Sequence, residues 1–140
     1  MKIQTTSAAL SLGRELEETS AKFYEDLTAK FPQGKDAFLA YAKENRKNVA
    51  QVERAYFGMI SDALEGCYAF NMESDGYPIK TDLAKGASYA QALAMAREVE
   101  KVIIKFYNDA AVQCEGLMAE MPRLFVLIGR KKSERLAKLV

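Results

Sequence analysis

Apolar residues recur along this chain at steps of three and four, the spacing that lines one face of an α-helix. In the second half they fall at Tyr89, Leu93, Ala96, Ile103, Tyr107, Ala110, Cys114, Leu117 and Met121, the seam of a helix packed among other helices. Punctuation divides the pattern into four helices. The first is predicted to open at Thr6 or Ser7, either of which can cap it, and to stop at Phe31-Pro32-Gln33-Gly34. The second starts near Lys35-Asp36 and runs to Gly58 or onward to Gly66. Residues 71–86, with Asp75-Gly76 and Tyr77-Pro78, read as a long irregular connection. The third helix starts near Ser88 and ends before Pro122, and the fourth begins around that proline, which suits a first helical turn. The expected fold class is all-α, a four-helix bundle of two helical hairpins joined by one long crossover, with residues 1–140 forming a single domain.

The two hairpins are related. Shifting helix one by 83 positions lays it on helix three, with nine identities in the eighteen positions from Ala9 to Asp26. Arg14-Glu15 falls on Arg97-Glu98, Glu17 on Glu100, Lys22-Phe23-Tyr24 on Lys105-Phe106-Tyr107 and Asp26 on Asp109. A shared Glu-x6-Tyr with Phe-Tyr is more than two amphipathic helices share by chance. An offset of 87 relates helix two to helix four more weakly, through Phe38 with Phe125 and Ala50 with Ala137.

Each apolar stripe is interrupted by polar residues. Helix one runs Leu10, Gly13, Glu17, Ser20, Tyr24, Leu27, Phe31, and helix three passes through Glu100 between Ala96 and Ile103. Helix two runs Phe38, Tyr41, Asn45, Asn48, Val52, and helix four Phe125, Ile128, Lys132, Arg135, Leu139. A lone glutamate on such a stripe usually marks its boundary, because an unpaired buried carboxylate is costly. Two at repeat-related positions, with polar residues in phase on the other helices, point to an interior polar site. Tyr24 and Tyr107 read either as core aromatics with satisfied hydroxyls or as redox residues, and Glu17 and Glu100, each seven residues earlier on the same helix, are candidate acceptors.

Composition restricts the chemistry. The chain contains no histidine, which removes Ser-His-Asp and Cys-His catalysis, HExxH zinc sites and histidine-ligated haem. Cys67 and Cys114 lie far apart without a CxxC, so they are expected to be reduced thiols in a cytoplasmic protein. The N-terminus lacks the apolar core of a secretory leader, and no run approaches a membrane span. The net charge of +1 is uneven: residues from Arg123 onward carry +5 and the preceding ones −4. That basic tail has no aromatic interleaving and no recognised motif, so nucleic acid is a disfavoured partner.

These residues make the chain similar to the rubrerythrin-like branch of the ferritin-like superfamily. The likeness runs from about Ala9 to Leu139 and is densest in Ser88 to Ala111, SYAQALAMAREVEKVIIKFYNDAA. In that family helices one and three each supply a glutamate, and helices two and four each supply a Glu-x-x-His. Together these hold two iron ions that react with peroxide or oxygen. The resemblance places the glutamates on Glu17 and Glu100 and the adjacent tyrosines on Tyr24 and Tyr107. It also implies a homodimer, with any further protein partner unidentified. The other ligands do not carry over: the two Glu-x-x-His positions read Asn45-Arg46-Lys47-Asn48 and Lys132-Ser133-Glu134-Arg135. A carboxamide is a poor ligand for iron and a cation repels it.

Two readings follow. In the first, Glu17 and Glu100 meet Lys132 and Arg135 in a neutral ion-pair cluster, completed by Asn45 and Asn48, where the family holds metal. The protein is then a non-catalytic structural, binding or regulatory module without cofactor. In the second, it is an oxidoreductase with an altered site, in which Glu17, Glu100 and Glu44 or Glu53 hold iron, manganese or another hard ion through oxygen alone. Helix geometry opposes bringing both Glu44 and Glu53 onto the Asn45 seam. A third possibility leaves Lys132 and Arg135 pointing to water.

Overall fold

The computed structural model describes residues 1–59, 70–115 and 120–140. Among them lie four helices: α1 (Thr6–Lys30), α2 (Lys35–Met59), α3 (Tyr89–Gln113) and α4 (Met121–Lys138). The protein is thus all-α, with helix boundaries close to those the punctuation predicts. The continuation of the second helix toward Gly66, Cys67, and the seam residues Leu117 and Met118 fall outside the described residues.

The cap of α1 differs from expectation. Thr5, not Thr6 or Ser7, takes the extended cap conformation, and its hydroxyl accepts from the Ala8 amide. Thr6 is already helical and fully buried, so its backbone does not have the extended conformation a cap requires. α3 begins with a capping box: the Ser88 hydroxyl accepts from Gln91 N while the Gln91 side chain accepts from Ser88 N. Pro122 stands in the first turn of α4, where its missing amide is no loss. The turn joining α1 to α2 is a single 3₁₀ turn at Pro32–Gly34. A Cβ on Gly34 would stand 2.5 Å from the Phe38 ring and 2.8 Å from the Tyr89 hydroxyl, so the turn closes this tightly only with glycine.

Contacts fix the helix directions. Asn48 meets Glu17 and Tyr41 meets Tyr24, so α1 and α2 are antiparallel. Arg135 meets Glu100 and Phe125 meets Tyr107, so α3 and α4 are antiparallel too. Between the pairs, Tyr24 reaches Glu100 while Tyr107 reaches Glu17, which sets α1 against α3. Therefore α2 and α3 run the same way, and the chain joining them must travel the length of the helices. Its described part, residues 70–88, is less irregular than the sequence implies. Met72–Glu73 forms a two-residue strand, β2, antiparallel to Lys2–Ile3, β1, and a 3₁₀ turn follows at Ser74–Gly76. Ile3, Met72 and Tyr77 are buried, so the crossover and the N-terminus clasp each other over the core. A pairing of two residues leaves no alternation long enough to read as a strand.

The buried apolar residues form two clusters. One holds Leu12, Val52, Phe106, Tyr107, Phe125 and Ile128, and the other Tyr24, Leu27, Phe38, Leu93, Ala96 and Leu139. The polar residues of the four stripes lie between them.

A buried ion-pair cluster as candidate functional site

Each helix brings polar residues to the interior at spacings of three, four or seven, which keep them on its core face. The buried polar and charged side chains include Glu17 and Ser20 from α1, Asn45 and Asn48 from α2, Glu100 from α3, and Lys132 and Arg135 from α4, none more than 3% exposed. All six residues singled out as equivalents of the family's metal ligands are therefore brought together, with Tyr24 and Tyr107 beside them. The cations of α4 point inward, because Phe125, Ile128 and Leu139 on the same stripe are buried and hold the helix in that register.

Lys132 is the hub. Its Nζ lies 2.6 Å from Glu17 Oε1 and 3.8 Å from Glu100 Oε2. Both are ion contacts without hydrogen-bond alignment, and the aligned bond runs 3.1 Å to Asn45 Oδ1. Arg135 Nη1 donates to Glu100 Oε1 at 2.9 Å and to Asn45 Oδ1 at 2.7 Å. Its Nη2 donates outward to Glu44 Oε1 at 2.9 Å. Asn48 Nδ2 donates to Glu17 Oε2 at 3.0 Å, and Asn45 Nδ2 to the Glu17 carbonyl at 3.2 Å. Asn45 thus offers its oxygen to both cations and its amide to a backbone carbonyl, while Asn48 donates to a carboxylate, so neutral side chains serve both signs of charge.

The network follows the internal repeat. Tyr24 Oη donates to Glu100 Oε1 at 2.7 Å, and its mate Tyr107 donates to Glu17 Oε2 at 2.9 Å. Asn48 on Glu17 is matched by Arg135 on Glu100, and the Lys132–Asn45 bond joins two mutually equivalent positions. One hydrogen-bonding frame is therefore used twice, with carboxamides in the first hairpin and cations in the second. The tyrosine acceptors differ from expectation: each bonds the glutamate of the opposite helix, not the one seven residues back. Two helical turns separate Glu17 from Tyr24, about 10 Å along one axis, whereas the antiparallel partner brings its glutamate level with the ring.

Burial raises the pKa of both phenols well above the ordinary tyrosine value, and the negative charge of Glu100 on Tyr24 and of Glu17 on Tyr107 adds to it. Burial opposes the charge on Arg135, but Glu100, Tyr24 and Glu44 outweigh it and the guanidinium is held more firmly protonated than usual. Tyr77, which donates to Asp109 at 2.6 Å, is also raised. A raised folded-state pKa gives stability that is intact below the unfolded value near 10 and lost as pH climbs toward the folded one. In an alkaline spectrophotometric titration, Tyr24, Tyr77 and Tyr107 are expected to stay un-ionised after exposed tyrosines have titrated. Their phenolate absorbance then arrives only with unfolding followed by circular dichroism. Smooth titration of every tyrosine near pH 10 in folded protein would contradict the buried Tyr–Glu bonds.

Glu44 and Glu53 part company. Glu44 reaches the cluster only at its outer edge through Arg135, whereas Glu53 pairs with Arg14 between α1 and α2. Among the described residues no group of three or more acids and cysteines converges on a common metal position. Tyr41 was not singled out from the sequence as a site residue, yet its carbonyl accepts from Arg135 and its ring lies 4.7 Å from that guanidinium. Its place four residues before Asn45 on the same stripe was the available signal. Cys114 is a free, buried thiol whose pKa is pushed up to about 11 by burial, the behaviour of an inert core cysteine. None of the described helices is long and apolar enough to cross a membrane. Comparison with protein-family models, curated proteins and solved structures gives no match.

Proposed function

We propose that this protein is a ferritin-like four-helix bundle, of rubrerythrin-like descent, in which an ion-pair cluster has replaced a di-iron site, and that it acts as a non-catalytic structural, binding or regulatory module. The observation that carries this reading is the Lys132 ammonium seated between Glu17 and Glu100. A metal ion bridging those carboxylates would need the same space and the same charge. Support comes also from the internal repeat, the crossed Tyr–Glu bonds and the parallel run of α2 and α3. The residues do not fit two iron ions: both Glu-x-x-His positions are filled by amides and cations, and each cation already serves a carboxylate. No catalytic step follows from such an arrangement. It is a neutral, hydrogen-bonded layer that fixes the register of four helices.

Metal analysis of protein purified without chelator tests the reading. Iron and manganese are expected far below one equivalent per chain, unchanged in Glu17→Ala. Near-stoichiometric iron or manganese that disappears in that variant would overturn it in favour of an oxidoreductase with a carboxylate-based site.

A further inference from the structure

One edge of the cluster opens to solvent. Between α2 and α4 lies a cleft of about 280 Å³ lined by Tyr41, Glu44, Lys131, Glu134, Arg135 and Lys138. Its lining carries three cations and two carboxylates. Lys131, Arg135 and Lys138 are spaced by four and three residues on α4 and so share a face. Arg135 is only 3% exposed, yet its bonds are unevenly spread. Nη1 is committed inward to Glu100 and Asn45, Nη2 carries Glu44 and, at 3.4 Å, the Tyr41 carbonyl, and Nε is buried with no hydrogen-bond partner among the described residues. Nε and Nη2 form one edge of the guanidinium, the edge that takes a carboxylate or phosphate with two parallel bonds. Glu44 is bonded to the Nη2 of that edge from a side chain that is 41% exposed, so its withdrawal would free Nη2 beside the unpartnered Nε. Lys131 and Lys138 have no ion pair among the described residues, where the pairs near the cleft are those of Arg135 and Lys132. Glu44 is also the charge the interior does not need, since Glu17, Glu100, Lys132 and Arg135 already balance.

We propose that this cleft binds the oxyanion group of a small molecule, a carboxylate or a phosphate, on the Nε–Nη2 edge of Arg135, with Lys131 and Lys138 at its rim and Glu44 as the intramolecular group it displaces. The inference rests on the metal-free reading only in taking Arg135 as a member of an intact ion-pair cluster. It gives the cluster an outlet: an anion bound at Arg135 acts on the same guanidinium that holds Glu100 and Asn45.

Inorganic phosphate and succinate, titrated separately into the full chain at constant ionic strength and followed by amide NMR shifts, test it. Saturable shifts are expected at residues 41, 44 and 131–138 with at least one probe, and the responding probe assigns the oxyanion class. Glu44→Gln removes the competitor and is expected to tighten binding roughly two- to five-fold, the worth of a partly exposed ion pair. The double variant Lys131→Gln/Lys138→Gln, both side chains outside the buried cluster, is expected to weaken it without changing Tm. No saturable shift with either probe in both the native protein and Glu44→Gln overturns the proposal, as does binding indifferent to the two lysines. A metal-loaded protein would overturn the metal-free reading instead, so the two failures are distinguishable.

Discussion

Glu100→Ala is expected to lower folding stability by about 3–5 kcal/mol, the cost of stranding a buried charge, while Glu98→Ala changes it by no more than about 0.5 kcal/mol. The two glutamates lie two residues apart on α3. Glu98 is solvated, with a side chain 72% exposed and an i,i+3 contact to Lys101, the kind of pair worth a few tenths of a kcal/mol. Glu100 is fully buried and receives Arg135, Tyr24 and, at longer range, Lys132. Removing it leaves Lys132 to Glu17 alone, Arg135 to the partly exposed Glu44 at its outer edge, and the Tyr24 phenol without its buried acceptor. Urea unfolding of both variants measures the difference. Equal and small losses would show that the cluster carries no such coupling.

Lys132→Met is expected to cost a similar amount, about 3–5 kcal/mol, for the converse reason. Its methylene stem is replaced closely in shape, so packing changes little, but Glu17 then has no cationic partner and Glu100 keeps only Arg135. Because the loss is one of charge balance, it should be relieved by removing the surplus. In Lys132→Met/Glu17→Gln the interior is neutral again, and the new carboxamide oxygen can still accept from Tyr107 and Asn48. A double-mutant cycle should give a coupling of roughly 2–3 kcal/mol between the two positions. Strictly additive losses would mean that Lys132 contributes by packing alone. The same comparison explains how such a cluster persists although a buried ion pair is weak evidence of net stability. Each member is expensive to lose singly, whatever the whole is worth against an apolar core.

Much of this arrangement was legible along the chain. The four helices follow from apolar period, proline and glycine punctuation and capping residues, which act within a few positions of one another. Glu17 and Glu100 stood out because the repeat placed both on core stripes, and the same spacing put Asn45, Asn48, Lys132 and Arg135 in phase on the stripes of the other two helices. Local signals fell short where two elements had to meet. The cap falls at Thr5 rather than at the expected Thr6 or Ser7, because all three carry a hydroxyl able to cap and the sequence alone does not say which one burial withdraws. The β1–β2 clasp joins residues about seventy positions apart, too short on each side to leave a pattern.

The orientation of α4 was the question the sequence left open. Its stripe of Phe125, Ile128, Lys132, Arg135 and Leu139 is compatible with cations that face water, since a long side chain can reach solvent from a boundary position. The sequence by itself determined which residues share a helix face, because that depends only on a period of 3.6 and the chirality of the chain. Only the tertiary structure decided which faces meet. It crossed the tyrosines onto opposite glutamates, set Lys132 between the two acids, and left Glu44 at the edge of Arg135. The physical reason is that a charge can be buried only where its partners arrive from other helices, and their level is fixed by packing and direction rather than by spacing along the chain.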